Sequence, residues 1–268
     1  MTETKRKNHM LWLALAAVLL GIGIQILLAL LPGRKASPPT ETPPPATASA
    51  PVETEAVPTE PPETEPPEPT AETEAERDDG SILILVNKWN PLPEGYEPEL
   101  EDINVNGDHR MDARCADALL RMLKDCHDAG NKPYLCSTYR TREDQERLYE
   151  NKIQNLIDFG ADPEAAPEIA AMSVAIPGTS EHQLGLAADI IDEEYTALDE
   201  GQEDTSTQQW LMENAWRYGF ILRYPNGTTD ITGIIYEPWH YRYVGLSVAR
   251  EIYELGTTLE EYIELKTR

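Results

Sequence analysis

The chain has 268 residues, with 48 acidic side chains against 22 lysines and arginines and a formal charge of −26 at neutral pH. So acidic a chain repels phosphate backbones, which argues against nucleic acid as a partner. Its three cysteines are too few for a disulfide scaffold and lack the CxxC spacing of a thiolate metal site.

The charge is unevenly spread: residues 1–35 carry +4, residues 36–80 carry −11, and the remainder carries −19. Residues 10–31 (MLWLALAAVLLGIGIQILLALL) are uncharged and almost wholly apolar, long enough to cross a hydrocarbon core of about 30 Å as a helix. The run is followed by Pro32-Gly33-Arg34-Lys35 rather than by the small residues of a cleavage site. Lys5, Arg6 and Lys7 on a short N-terminus, and a long acidic stretch beyond the run, favour residues 1–9 in the cytoplasm and the rest outside the cell. The reading is a single-pass membrane anchor at 10–31. Residues 32–80 form the next block, and 36–80 hold twelve of the chain's 22 prolines among many Glu and Thr. Too little apolar surface is present to offset the entropy of ordering, so the segment is predicted to be disordered. At ~3.1 Å per residue it could hold a domain on the order of 140 Å from a membrane.

At Ser81 the composition changes, and 81–268 is read as one domain. Residues 81–86 (SILILV) predict a strand or an extended entry segment, and Asn106-Gly107 a turn. Asp112 is placed as the cap of a helix running to about 129, with Ala116, Leu119, Leu120 and Leu123 on one face. Residues 133–139 (PYLCSTY) predict a strand. Thr141 caps a second helix carrying Leu148, Tyr149, Ile153 and Ile157, and a short helix falls within 163–172. Residues 186–191 (LAADII) suit a central strand, and Thr205 or Ser206 caps a helix with Trp210 and Leu211. Strands are predicted at 220–224 and 233–236 around a turn at Asn226-Gly227, and closing helices at 246–255 and 258–266. Mixing without βαβ alternation predicts an α+β fold with a small, mostly antiparallel central sheet flanked by helices. Cys115 and Cys126, eleven apart on one helix, would stand roughly 16 Å apart. Either could bond Cys136 outside the cytosol, or all three could pack as small apolar groups.

Two short windows hold the chemistry: 180–189 (SEHQLGLAAD) and 237–240 (EPWH). A hydrolytic zinc takes three protein ligands and needs a carboxylate that is not a ligand to accept a proton from water. His182, Asp189 and His240 can be the ligands, and Glu237 the base. Asp189 lies within an apolar strand, where a carboxylate is costly to bury unless it is paired or bound to metal. On spacing alone, Asp189 capping a turn with His182 on the surface fits the first window equally well. An aromatic surface turn likewise fits YEPWHYRY, but the two windows together supply a complete constellation. No GxSxG elbow surrounds Ser180, which argues against a serine hydrolase. His109 and His127 have no ligand-like neighbours.

SEHQLGLAAD matches the SxHxxGxxxD signature, and EPWHYRYVG the ExxH signature, of the zinc D-alanyl-D-alanine carboxypeptidases of VanY type (peptidase family M15, subfamily M15B). STYRTREDQ at 137–145 resembles that family's SxYRSxxxQ segment, with Thr141 where Ser is usual, and LVNKWNPLP at 85–93 looks like the start of many such domains. The resemblance spans 81–268. It implies that His182, Asp189 and His240 bind one Zn²⁺ and that Glu237 is the catalytic base. It further implies that Arg140 faces the scissile carbonyl or the substrate carboxylate, and that Gln145 and Ser180 bind the terminal D-residue. The expected activity is removal of the terminal D-alanine from peptidoglycan stem peptides by a membrane-anchored extracellular enzyme. LD-carboxypeptidase and endopeptidase activities are alternatives that the loop at 192–205 would decide. A non-catalytic wall-binding module is a third, whose mark would be a lost ligand or base, and none is missing.

Overall fold

The computed structural model describes residues 81–268; the predicted anchor at 10–31 and linker at 32–80 lie outside the described residues. Among the described residues no helix is long and apolar enough to cross a membrane.

Of the two readings of 81–86, strand or extended entry segment, the strand is not formed. The segment opens with a 3-10 turn, Ser81–Leu83, and the carbonyls of Ile82 and Ile84 accept from Nη2 of Arg242 at 2.7 and 3.1 Å. These acceptors serve a buried guanidinium in place of a neighbouring strand. Strands β1 (Leu100–Ile103) and β2 (His109–Asp112) then form an antiparallel hairpin. Its loop turns at Asn106 and Gly107, both with positive φ, as predicted.

Helix α1 (Ala116–Asp128) starts later than the expected Asp112 cap, with Cys115 at the cap position and no side-chain bond there. Asp112 instead ends β2, and its carboxylate accepts from the backbone N–H and the guanidinium of Arg114. The buried stripe of α1 runs through Ala116, Leu119, Met122, Leu123 and Cys126. Leu120 falls outside it and is 37% exposed. All three cysteines are free, so the alternative of a bridge to Cys136 is not realised.

The central sheet contains β3 (Pro133–Ser137), β4 (Ala187–Asp192), β5 (Phe220–Leu222) and β6 (His240–Tyr243). Its order is β3-β4-β6-β5, antiparallel at every junction. The α+β expectation with an antiparallel sheet therefore holds for the described residues. Side chains alternate across a pleated sheet, and here the two faces differ in chemistry. Leu135, Ala188, Ile190, Phe220, Tyr241 and Tyr243 join α1, Leu211 and Ala215 in the main core. The opposite face presents Asp189, His240 and Arg242, because the register sets Asp189 opposite His240 and Ala187 opposite Arg242.

Strand β6 falls where no element is predicted, whereas the predicted strand at 233–236 does not form. In its place a helical turn, α5 (Thr229–Thr232), ends at Gly233 with φ 83°, and the Ile235 N–H donates to the Met172 carbonyl.

The remaining helices are α2 (Arg142–Asp158), α3 (Ala166–Ala170), α4 (Ser206–Asn214), α6 (Leu246–Leu255) and α7 (Leu259–Thr267). Thr141 and Thr205 cap α2 and α4 as predicted, each accepting a backbone N–H of the first turn. At α7, Thr258 and Glu261 form a reciprocal capping box. Helices α6 and α7 bury Ala249, Ile252, Leu259 and Tyr262 in a second, smaller core with Ile221 and Val244.

Candidate metal centre and active site

The first window folds as a 3-10 turn, Glu181–Leu184, stopped by Gly185 at φ 76°. A Cβ at Gly185 would sit 3.2 Å from the Asp112 nitrogen and 3.2 Å from Leu100 Cδ2, and left-handed φ is in any case strained for other residues. The glycine lets the hairpin pack directly under the turn, since Asp112 N donates to the Gly185 carbonyl at 2.9 Å. The chain then passes into β4, which carries Asp189. In the second window, Glu237 ends a loop whose N–H bonds the Tyr224 carbonyl, and the Trp239 carbonyl accepts from Ile190 N. That last bond extends the β4–β6 ladder and delivers His240 to the first rung.

His182, Asp189 and His240 meet as predicted, each at most 4% exposed. Their ligand atoms lie within 4.8 Å of one another, and among the described residues this is the group of side chains able to hold a metal ion. His182 Nε2 is 3.2 Å from Asp189 Oδ2, and His240 Nδ1 is 3.1 Å from Asp189 Oδ1. The two imidazoles stand edge to face with centroids 4.9 Å apart. The donor set fits a divalent cation. His182 turns its other nitrogen, Nδ1, to the Thr138 carbonyl at 2.7 Å, which leaves Nε2 with its lone pair. Asp189 Oδ1 is buried without a hydrogen-bond partner, an orphan that a cation would satisfy.

Glu237 is buried beside this group, with Oε2 3.7 Å from His240 Nδ1. Burial, reinforced by the Asp189 charge, pushes its carboxyl up to about 8 against the pull of His240, Arg140 and Lys152. Burial, and next the Arg140 charge, push His182 down to about 4, so its ring is neutral at physiological pH. Burial also opposes charge on His240, but the carboxylates of Asp189 and Glu181 outweigh it and hold the ring up at about 9.

Arg140 follows β3 and reaches across it with all three of its nitrogens. Nε donates to Ser137 Oγ at 2.8 Å, Nη1 to Gln145 Oε1 at 3.4 Å, and Nη2 to Asp189 Oδ2 at 2.6 Å. The Gln145 side chain is wholly buried in the first turn of α2 and donates to the Ala175 carbonyl at 2.7 Å. Arg140 keeps 20% of its side chain exposed, so the anchored residue still borders solvent. Ser180 is buried at the head of the 3-10 turn, but it is not among the partners of Arg140. Arg142 is exposed and His127 lies 75% exposed, both away from the cluster.

Sequence reasoning missed the layer beneath the site. Glu181, next to the ligand His182, is fully buried, with Oε1 bound by Arg223 Nε at 2.7 Å and Arg242 Nη1 at 2.8 Å. Burial alone would raise its carboxyl, yet the two guanidiniums hold it well below the usual carboxylate range. Arg223 also grips both oxygens of Glu260 on α7. A signal was present: ILRY and HYRY each set an arginine among apolar strand residues, and an arginine buried there requires an internal anion.

A family model described as VanY, D-alanyl-D-alanine carboxypeptidase, matches residues 108–246. A D-alanyl-D-alanine carboxypeptidase of Enterococcus faecalis (strain ATCC 700802 / V583) is 42% identical over 196 residues, which is 72% of this chain and 69% of that one. Among solved structures, a mutant of the vancomycin-resistance D,D-pentapeptidase VanY in complex with Zn(II) aligns at 42% identity and TM-score 0.62, covering 68% of this chain and 98% of its own. VanYB in complex with D-alanine-D-alanine aligns at 42% identity and TM-score 0.63, with coverage of 69% and 98%. The LdcB LD-carboxypeptidase aligns at 37% identity and TM-score 0.60, with coverage of 68% and 86%. With its paired motif windows converging in one buried cluster, the chain belongs to the VanY family of D-alanyl-D-alanine carboxypeptidases, subfamily M15B.

Proposed function

We propose that this chain is a membrane-anchored, extracellular zinc carboxypeptidase that removes the terminal D-alanine from peptidoglycan stem peptides. The observation that carries the chemistry is the buried His182–Asp189–His240 triangle with a separate carboxylate, Glu237, 3.7 Å from one ligand nitrogen. The three residues would hold Zn²⁺, which when bound would supply Lewis-acid polarisation of a carbonyl and lower the pKa of a water to about 7. Glu237 accepts a proton from the attacking water and returns it to the departing amine. Its carboxyl, raised toward neutrality by burial, is matched to taking and giving a proton near neutral pH. Arg140 offers a fixed positive charge to the developing oxyanion or to the substrate's terminal carboxylate, in the two-point geometry that a guanidinium provides. Gln145 accepts a hydrogen bond from that guanidinium, and Gln145 and Ser180 are assigned to the terminal D-residue, as the family resemblance implies.

The anchor rests on the uncharged run at 10–31, and the outward orientation on the basic residues before it. The D,D reading is preferred to L,D because the matched family and the E. faecalis relative are both D-alanyl-D-alanine carboxypeptidases.

The full chain, loaded with zinc, is incubated with stem pentapeptides and tetrapeptides, and products are read by mass spectrometry. D-alanine is expected from the pentapeptide, with Glu237→Gln slower by roughly 10²–10⁴-fold at unchanged zinc content. No D-alanine from any peptide, or a Glu237→Gln variant as fast as the parent, overturns the reading. Preference for the tetrapeptide assigns L,D specificity instead.

A further inference from the structure

A histidine that holds a metal through one ring nitrogen presents the other to a partner, which sets the tautomer and the direction of the ring. For His182 that partner is the Thr138 carbonyl. His240 has no such carbonyl. Its Nε2 is buried without a hydrogen-bond partner, and so is Oε2 of Glu181, yet the two atoms lie 3.6 Å apart. We propose that Glu181 is the positioning residue of the centre: its Oε2 takes the Nε2–H of His240 and commits Nδ1 to the cation. This inference rests on His182, Asp189 and His240 being the ligands, and it adds what aims the third of them.

The surroundings give the carboxylate one free direction. Both donors on Oε1 are guanidinium nitrogens, Arg223 Nε and Arg242 Nη1. Neither arginine is free to move. Arg223 is tied to both oxygens of Glu260, and Arg242 to the carbonyls of Tyr243, Ile82 and Ile84. One oxygen of Glu181 is thus saturated while the other faces the imidazole. If Glu181 merely neutralised the arginines, it would be equivalent to Glu260, which shares Arg223 but is not a partner of His240.

That difference supplies the control. In Glu181→Gln the arginines require the amide oxygen on their side, so the NH₂ faces His240. Nε2 is then pressed to accept, and the proton moves to Nδ1, the nitrogen that must stay free for the cation. Zinc affinity of the full chain is measured by chelator competition, folding by thermal melt, and the His240 ring by ¹⁵N NMR of the zinc-loaded protein. The parent is expected to show Nδ1 bound and Nε2 protonated. Glu181→Gln is expected to bind zinc 10–100-fold more weakly, while Glu260→Gln stays within about threefold of the parent. If Glu181→Gln does not fold, Glu181→Asp keeps the charge for the arginines but withdraws the oxygen from His240, and the same loss is expected. Equal losses for Glu181 and Glu260 variants, an unchanged affinity in a folded Glu181 variant, or Nε2 bound to zinc in the parent would each overturn the proposal. So would a parent chain that binds no zinc. A parent that binds zinc through Nδ1 but releases no D-alanine would sink the peptidase reading and leave this one standing.

Discussion

Replacing Arg223 by methionine isolates the buried charge network from the metal ligands. Arg223 is fully buried, and each of its nitrogens donates to a carboxylate: Nε to Glu181 at 2.7 Å, Nη1 and Nη2 to Glu260 at 2.8 and 2.7 Å. Methionine fills similar volume but leaves two carboxylates to one guanidinium, and of these two Arg242 pairs with Glu181 alone. Breaking one partner out of a buried ion pair costs about 3–5 kcal/mol. At roughly 2–4 °C per kcal/mol for a domain of this size, the melting temperature should fall by roughly 6–20 °C. The pH dependence has a definite sign. Glu181 is held below the ordinary carboxylate value when folded, so its contribution is present above the unfolded pKa of about 4.3 and is lost as pH falls through the folded value. In Arg223→Met that depression is smaller. The gap between parent and variant should therefore be full at neutral pH and narrow on acidification below about pH 4.3. Urea denaturation from neutral pH down to acid measures it. A neutral-pH gap below about 1 kcal/mol, within the range of an exposed pair, or one that widens on acidification, would refute the account of this network.

Three further outcomes follow from the geometry. Arg140→Lys cannot keep donors on Ser137, Gln145 and Asp189 at once, and kcat should fall about 10²-fold with zinc content unchanged; equal kcat would remove Arg140 from the chemistry. Gly185→Ala meets both a left-handed φ and backbone at 3.2 Å, so denaturation should show a loss of about 1–3 kcal/mol, and a neutral substitution would mean that the turn shifts freely. Zinc at a thousand times its dissociation constant should add about 4 kcal/mol of stability through preferential binding to the folded chain, seen as a melting temperature that drops on adding chelator; identical melts with and without chelator would exclude a cation at the cluster.

The ligand set was legible because its chemistry is local in type: a carboxylate inside LAADII and a histidine after EPW are each costly to bury without a purpose. Helix caps at Thr141 and Thr205 were legible for a similar reason, since the hydroxyl acts on the turn that follows it. What escaped reading is set by long-range partners. HYRY is buried at all four positions, so it shows no alternation and its strand state depends on β4 and β5 lying on either side. SILILV looks like a strand, but its carbonyls go to Arg242, some 160 residues away. Glu181 occupies a variable position of the signature, and its role comes from Arg223 and Arg242, 42 and 61 residues downstream. The hydrogen bond from Arg140 to Asp189, linking two residues expected in separate roles, likewise depends on the β3–β4 register.

Strand β3 lies at the edge of the sheet, with one side unpaired, and such an edge invites another strand to add. The hairpin loop prevents this at mid-strand. The Asn106 side chain donates Nδ2–H to the Leu135 carbonyl at 2.8 Å and accepts the Leu135 N–H at 3.1 Å, reproducing with one amide the donor and acceptor of a neighbouring peptide. A peptide laid along β3 would find its central rung already taken. On the proposed function, substrate would then reach the face where Arg140 and Asp189 meet without adding a strand at the β3 edge.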